Sequence, residues 1–300
     1  MSIKKSLALI LVVILFGAPS MAIIQAAALK KDHIHLHIES ISHPKEPEGF
    51  GHNELISHVS ETTSLIEPDL TTGLTLSSLS HPFPSIYMKI LLYHYIRDYT
   101  NEKDIVGMNL SVSQANFDKQ MKSIKDAGYH TILYKDIIQN IAFGTPLPTK
   151  PIMLNFDDGY DGMYTAAFPI LKKYEMHASF GIITNRVGTI GYLNWDQIKE
   201  IKLMGNEMVS HTVSHPSLAI SSIPKQVFEL RDSKETLDRE LNQDTQVIIY
   251  PSGKYTPETI ALAKQEGYLI GRTTNYFNQI NSTNLYELGI NRVNNASEIE

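Results

Sequence analysis

Ile152-Met153-Leu154-Asn155-Phe156-Asp157-Asp158-Gly159-Tyr160 is an apolar run that ends in two adjacent acids and a glycine. A short apolar run bounded by a turn signal reads as a buried strand. An unpaired carboxylate at the end of such a strand is costly, so the acids need a partner. Asp-Gly is also a plain turn signal, and by itself the stretch fits a strand-end turn equally well.

Outward from this strand, apolar runs and helix-like segments alternate. Strand candidates are Met88–Tyr93, Thr131–Tyr134, Ile152–Phe156, Ala178–Thr184, Glu207–Ser210, Val247–Tyr250 and Tyr268–Arg272. Helical segments are expected at Ser113–Ala127, Asp161–Tyr174, Trp195–Met204, Lys225–Leu241 and Pro257–Glu266, with Gly128 as a stop. Such alternation predicts an α/β domain with a mainly parallel sheet. The region from Ile86 to Glu300 is about 215 residues, slightly short of the ~250 of a full eight-unit barrel.

The N-terminus reads differently. Met1–Lys5 is basic, Ser6–Gly17 is apolar, and small residues follow, with cleavage expected after Ala22 or Ala28. The uncharged stretch Ser6–Leu29 approaches the length that spans a ~30 Å hydrocarbon core, although Gly17 and Pro19 interrupt it. Residues 1–29 therefore fit a cleaved signal peptide or an uncleaved anchor, and either implies export, with the protein secreted or attached through its N-terminus to the outer face of the membrane or the cell wall. Residues 30–85 hold five prolines and three basic against eight acidic residues, which suggests a disordered spacer. Seven of the twelve histidines lie there: His33, His35, His37, His43, His52, His58 and His81. The first three alternate and would share a face if extended. A polar linker without a defined site is the plainer reading.

Composition excludes several classes. The net charge of −6 gives no basic surplus for nucleic acid. Zero cysteines exclude a disulfide scaffold, thiolate metal sites and a Cys nucleophile. A metal site must then use histidine and carboxylate. His211-Thr-Val-Ser-His215 follows another strand candidate, and Pro216 disfavours an α-helix at His215. The residue after His211 is Thr, so the His-Glu-x-x-His protease pattern fails. Alone these are two surface histidines. With the Asp pair they form an oxygen and nitrogen ligand set with open positions, a catalytic pattern.

Asp157-Asp158, His211-x-x-x-His215 and Val247-Ile-Ile-Tyr-Pro-Ser-Gly-Lys-Tyr255, in this order, resemble the NodB-homology polysaccharide deacetylases, carbohydrate esterase family 4. The family more often has Thr or Ser where Asn155 stands, and Pro-aromatic-Gly where Ser252 stands. The Tyr192–Met204 segment resembles the biofilm-polysaccharide subgroup. The usual late Leu-x-His motif is missing from Gly289–Val293. Ile90-Leu-Leu-Tyr-His94 stands at the front instead, as in the circularly permuted poly-N-acetylglucosamine deacetylases.

The resemblance implies a distorted (β/α) barrel of about seven strands, circularly permuted. It implies Asp158, His211 and His215 as ligands of one divalent metal, zinc first, with iron, cobalt, nickel or manganese fitting similar sites. Asp157 becomes the base, His94 the acid, and the Ser252 backbone N–H the oxyanion donor. Tyr160, Trp195, Pro251 and Tyr255 become substrate contacts, with Tyr164 and Tyr276 as further aromatic candidates. The implied activity is N-deacetylation of an extracellular N-acetylglucosamine polymer by a monomer. Poly-β-1,6-N-acetylglucosamine leads, and peptidoglycan or chitin-like oligomers follow. An inactive carbohydrate-binding surface protein is the alternative of a different class. One physical check needs no family. Asp157, His211, Tyr250-Pro251 and His94 all follow strand candidates, and in a parallel barrel those ends share one face.

Overall fold

The computed structural model describes residues 10–14, 23–27, 74–79 and 82–299. The spacer histidines lie outside the described residues, as does most of the 1–29 and 30–85 expectation. The chain divides into two compact units, residues 1–66 and 67–300. In the first, Ile10–Ile14 pairs antiparallel with Ile23–Ala27. No helix among the described residues is long and apolar enough to cross a membrane.

The second unit is built on a parallel sheet. Its strands are β1 (Lys89–Tyr93), β2 (His130–Thr131), β3 (Pro151–Phe156), β4 (Ser179–Ile182), β5 (Glu207–Ser210), β6 (Val247–Ile249), β7 (Ile270–Arg272) and β8 (Asn291–Arg292). The order is β7-β6-β5-β4-β3-β1-β8, with β2 beside the start of β3. The first strand in sequence thus lies between the third and the last, as the permuted arrangement requires.

The curled sheet places helices α1 (Ile105–Leu110), α2 (Gln114–Asp126), α3 (Tyr134–Phe143), α4 (Phe168–Tyr174), α5 (Trp195–Leu203), α6 (Ile223–Leu241) and α7 (Pro257–Gln265) between its strands. Alternate residues go to opposite faces, and both faces are buried. Leu91 and Tyr93 join one core cluster with Leu154, Phe156 and Phe180. Ile90 and Leu92 join the other with Met153, Val209 and Ile248. Tyr93, Phe156 and Phe180 stack across β1, β3 and β4 with ring centres 5.3 and 5.0 Å apart.

Three expectations shift. Tyr134 opens α3 instead of closing a strand, because Tyr134, Ile137, Ile138 and Ile141 form one buried helical face. The helix expected over Asp161–Tyr174 starts late, with a wide π-type turn at Met163–Ala167 before α4. The compact unit also begins ahead of Ile86. Leu79 is 3% exposed, and Leu74 and Phe83 pack on the same core.

Candidate active site

Register decides which residues meet. Tyr93 pairs with Phe156, so His94 and Asp157 leave β1 and β3 side by side. The Asp157 N–H donates to the Tyr93 carbonyl at 3.0 Å. Val209 pairs with Gly181, and Ile249 pairs with Arg272, which brings the ends of β4 to β7 into the same mouth. Gly181 matters here. A Cβ at that position would lie 2.9 Å from Ile249 Cδ1, so its bareness lets the end of β6 pack against β4, while His211 Cβ and Asp157 Oδ1 would be in ordinary contact at 3.5 and 3.6 Å.

The loops after these strands are bent sharply. Seven non-glycine residues among those described have positive φ, and four border the site: Asp158 (78°), Thr212 (66°), His215 (60°) and Ser252 (53°). Such conformations cost energy and tend to gather where function demands a particular side-chain direction. The His215 loop is tied down. Ser214 donates from its N–H to Glu229 Oε2 at 2.8 Å and from its hydroxyl to Glu229 Oε1. Glu229, on α6, is fully buried and also pairs with Lys225 at 2.7 Å. The Lys225 ammonium and the Ser214 donors outweigh burial and hold its carboxyl below the usual value.

Asp158 Oδ1 lies 3.3 Å from His211 Nε2 and 3.4 Å from His215 Nε2. It is buried and makes no hydrogen bond. A buried carboxylate oxygen without a donor is expensive, and two imidazole nitrogens aimed at the same spot supply no obligatory proton. His211 Nδ1 sits 2.8 Å from the Ile249 carbonyl. A carbonyl only accepts, so Nδ1 carries the proton and Nε2 presents its lone pair inward. The three ligand atoms lie within 4.8 Å of one another. One hard-to-intermediate cation fits this donor set.

Asp157 is equally buried, yet its environment differs. Oδ1 accepts from Arg272 Nη2, and Oδ2 lies 4.0 Å from His211 Nε2. Burial alone would raise its pKa. Arg272, His211 and His94 overcome this and hold it below the ordinary range. His94 responds to the Asp157 and Asp158 carboxylates, but burial dominates and lowers its pKa.

Arg272 was missing from the sequence-based site. It is 0% exposed, closes β7, and has Asp157 as its anionic partner. The signal was present: a cation ending the apolar run Tyr268–Gly271, as acids end the run before Asp157. Behind it, Asn155 accepts from the Tyr134 hydroxyl at 2.6 Å.

The other expected residues surround this centre less closely. Pro251 is buried, and Ser252 is exposed on the turn after β6. Tyr255 stacks on Tyr250 at 4.9 Å and donates to Glu287 at 2.7 Å. Trp195, at the start of α5, is partly buried against the core. Tyr164 donates to Glu200, and Tyr276 is exposed. Tyr160 bridges Tyr192 through the backbone, and its ring lies 3.9 Å from that of Tyr95 and 5.1 Å from that of Tyr192, in a Tyr95–Tyr160–Tyr192 column.

Residues 144–271 match the family model "Polysaccharide deacetylase". The chain is 34% identical over 187 residues to the polysaccharide deacetylase-type protein YxkH of Bacillus subtilis. That match covers 62% of this chain and 64% of the relative, so the chain spans under two thirds of that protein. It is 28% identical over 209 residues to the poly-beta-1,6-N-acetyl-D-glucosamine N-deacetylase of Staphylococcus aureus, covering 65% of this chain and 71% of that protein. Among solved structures, the deacetylase PplD of Streptococcus pyogenes in complex with acetate is 34% identical, with a TM-score of 0.66. It is matched over 71% of this chain and 95% of its own.

Proposed function

The chain belongs to the NodB-homology polysaccharide deacetylase family, and on that premise we propose that it removes N-acetyl groups from an exported N-acetylglucosamine polymer. Poly-β-1,6-N-acetylglucosamine is the leading substrate, supported by the resemblance to the Staphylococcus aureus enzyme. The observation that carries the reading is the buried, donorless Asp158 Oδ1 between two imidazole nitrogens, with an Arg272-held carboxylate beside it.

Asp158, His211 and His215 hold a divalent cation, zinc first. Such an ion supplies Lewis acidity toward the acetamide carbonyl and lowers the pKa of water. The remaining steps belong to the chain. Asp157 stays ionised because Arg272 faces Oδ1, which leaves Oδ2 to take a proton from the attacking water. Arg272 also fixes the carboxylate's orientation, since Asp157 is the one anion its guanidinium pairs with among the described residues. The exposed turn at Ser252 offers its N–H to the developing oxyanion. His94 gives its proton to the departing amine. Burial lowers its pKa, so the ring is mainly neutral near neutral pH and must first take up the proton that it passes to the amine; once protonated it is a strong donor. Acetate and a glucosamine unit are the products.

The same geometry would serve peptidoglycan or chitin-like chains. Acetate release from β-1,6- and β-1,4-linked N-acetylglucosamine oligomers separates them. Faster turnover of the β-1,6 series supports the leading substrate, and preference for the β-1,4 series replaces it. Binding of either series without acetate release would instead support the inactive carbohydrate-binding alternative. The N-terminal signal or anchor would place the catalytic unit outside the cell.

A further inference from the structure

Behind the Arg272–Asp157 pair, a closed ring of hydrogen bonds joins one helix to three strands. It starts at Tyr134, the first residue of α3. The Tyr134 hydroxyl donates to Asn155 Oδ1 on β3 at 2.6 Å. Asn155 Nδ2 donates to the Ser179 carbonyl on β4 at 3.3 Å. The Ser179 hydroxyl donates to Glu207 Oε2 on β5 at 2.7 Å. Glu207 closes the ring: Oε2 accepts from the Tyr134 N–H and Oε1 from the Lys135 N–H, each at 3.0 Å. Tyr134, Asn155 and Ser179 are all fully buried.

The ring fixes Tyr134 at both ends. Its backbone is held by Glu207 at the N-terminus of α3, where free N–H groups favour a carboxylate. Its hydroxyl is held by Asn155. An amide accepts at one atom and donates at another. A Thr or Ser hydroxyl, more usual in the family at this position, would have to do both with one oxygen.

Arg272 adjoins this ring. Its Nη2 donates to Asp157 and its Nη1 to the Thr273 carbonyl at 3.2 Å, while its Nε is buried and makes no hydrogen bond. The Tyr134 hydroxyl stands close enough to act on the guanidinium by charge and by hydrogen bonding. Burial pushes the phenol pKa up, so the hydroxyl keeps its hydrogen. That hydrogen is committed to Asn155, which leaves the oxygen lone pairs for the cation. A buried cation with one anionic partner keeps a single pose only where oriented dipoles complete its surroundings.

We propose that Tyr134 is a positioning residue for the reaction: its oxygen, aimed by Asn155 and by the α3 start that Glu207 holds, keeps Arg272 directed at Asp157. The inference rests on the deacetylase reading above. The test measures kcat and KM for acetate release from an N-acetylglucosamine tetramer with the zinc-loaded full chain, together with crystal structures of wild type and variant. Tyr134→Phe deletes one oxygen and keeps the aromatic ring. It is expected to lower kcat about tenfold with KM and zinc content unchanged, and to show Arg272 turned away from Asp157 in the crystal. An unchanged kcat, a loss shared with KM, or an Arg272–Asp157 pair that stays in place overturns the assignment. If the wild type releases no acetate from any oligomer, the deacetylase reading fails, and the crystal structures alone decide the positioning. If Tyr134→Phe does not fold, Asn155→Ala, which removes the acceptor that aims the hydroxyl, carries the same kinetic and crystallographic tests.

Discussion

Two neighbouring aspartates acquire opposite surroundings. Asp157 faces a guanidinium, and Asp158 faces two imidazole nitrogens. Changing Asp157 to Asn should abolish turnover while metal content, measured by elemental analysis, stays at one ion. Loss of the ion would exchange the roles of the two residues. Changing His94 to Ala should lower turnover by ~10²–10⁴, the usual range for a lost proton donor. Full activity in that variant would remove His94 from the chemistry. Arg272 forms a fully buried pair, and breaking such a pair typically costs about 3–5 kcal/mol because one charge is stranded. Arg272→Met should therefore reduce unfolding free energy in urea by that order, and adding Asp157→Leu should restore part of it. No recovery in the double variant would mean that Arg272 supports the fold by packing alone.

At the scale of elements, the site depends on how loops are anchored. Glu229 of α6 holds the Ser214 backbone and hydroxyl, one residue before His215. Its folded pKa lies below the ordinary 4.5. A depressed carboxyl pKa stabilises the fold fully above that ordinary value, and the contribution disappears as pH falls through the lower, folded one. The melting difference between wild type and Glu229→Gln should thus be largest above about pH 4.5 and shrink below it. A difference independent of pH would assign the effect to shape and not to charge. The strand ends at Asp157 and His211 were legible because polar groups closing apolar runs demand partners. Arg272 obeyed the same logic, but it was read only as the end of a strand. The Tyr95–Tyr160–Tyr192 column was not legible, because its members come from three loops that only the fold brings together. α3 was not among the expected helices: Tyr134, Ile137, Ile138 and Ile141 carry the i, i+3, i+4, i+7 spacing, but Tyr134 also suited the end of a strand and no element was expected over the rest.

For the whole molecule, the last segment explains how His94 reaches the site. Gly271 N–H donates to the Leu285 carbonyl, and Leu288 N–H to the Gly271 carbonyl, along the free edge of β7. A few residues on, β8 pairs with Leu91 and Leu92 of β1. One segment therefore bridges both edges of the curled sheet and keeps β1, with His94, beside β3. The alternation of strands and helices announced the parallel α/β class. The bridge was hidden, since two-residue strands such as Asn291–Arg292 are too short to carry a period. The absence of cysteine also takes on meaning at this scale, because the centre draws only on aspartate, histidine and arginine.

The proposed hydrolysis requires the Asp158–His211–His215 cluster. Acetate release from an N-acetylglucosamine tetramer by the purified chain, before chelation, after it, and after adding zinc back, tests this most directly. Activity should vanish with the chelator, return with zinc, and stay absent in Asp158→Ala under all three conditions. Undiminished acetate release after chelation, or from Asp158→Ala, would contradict it.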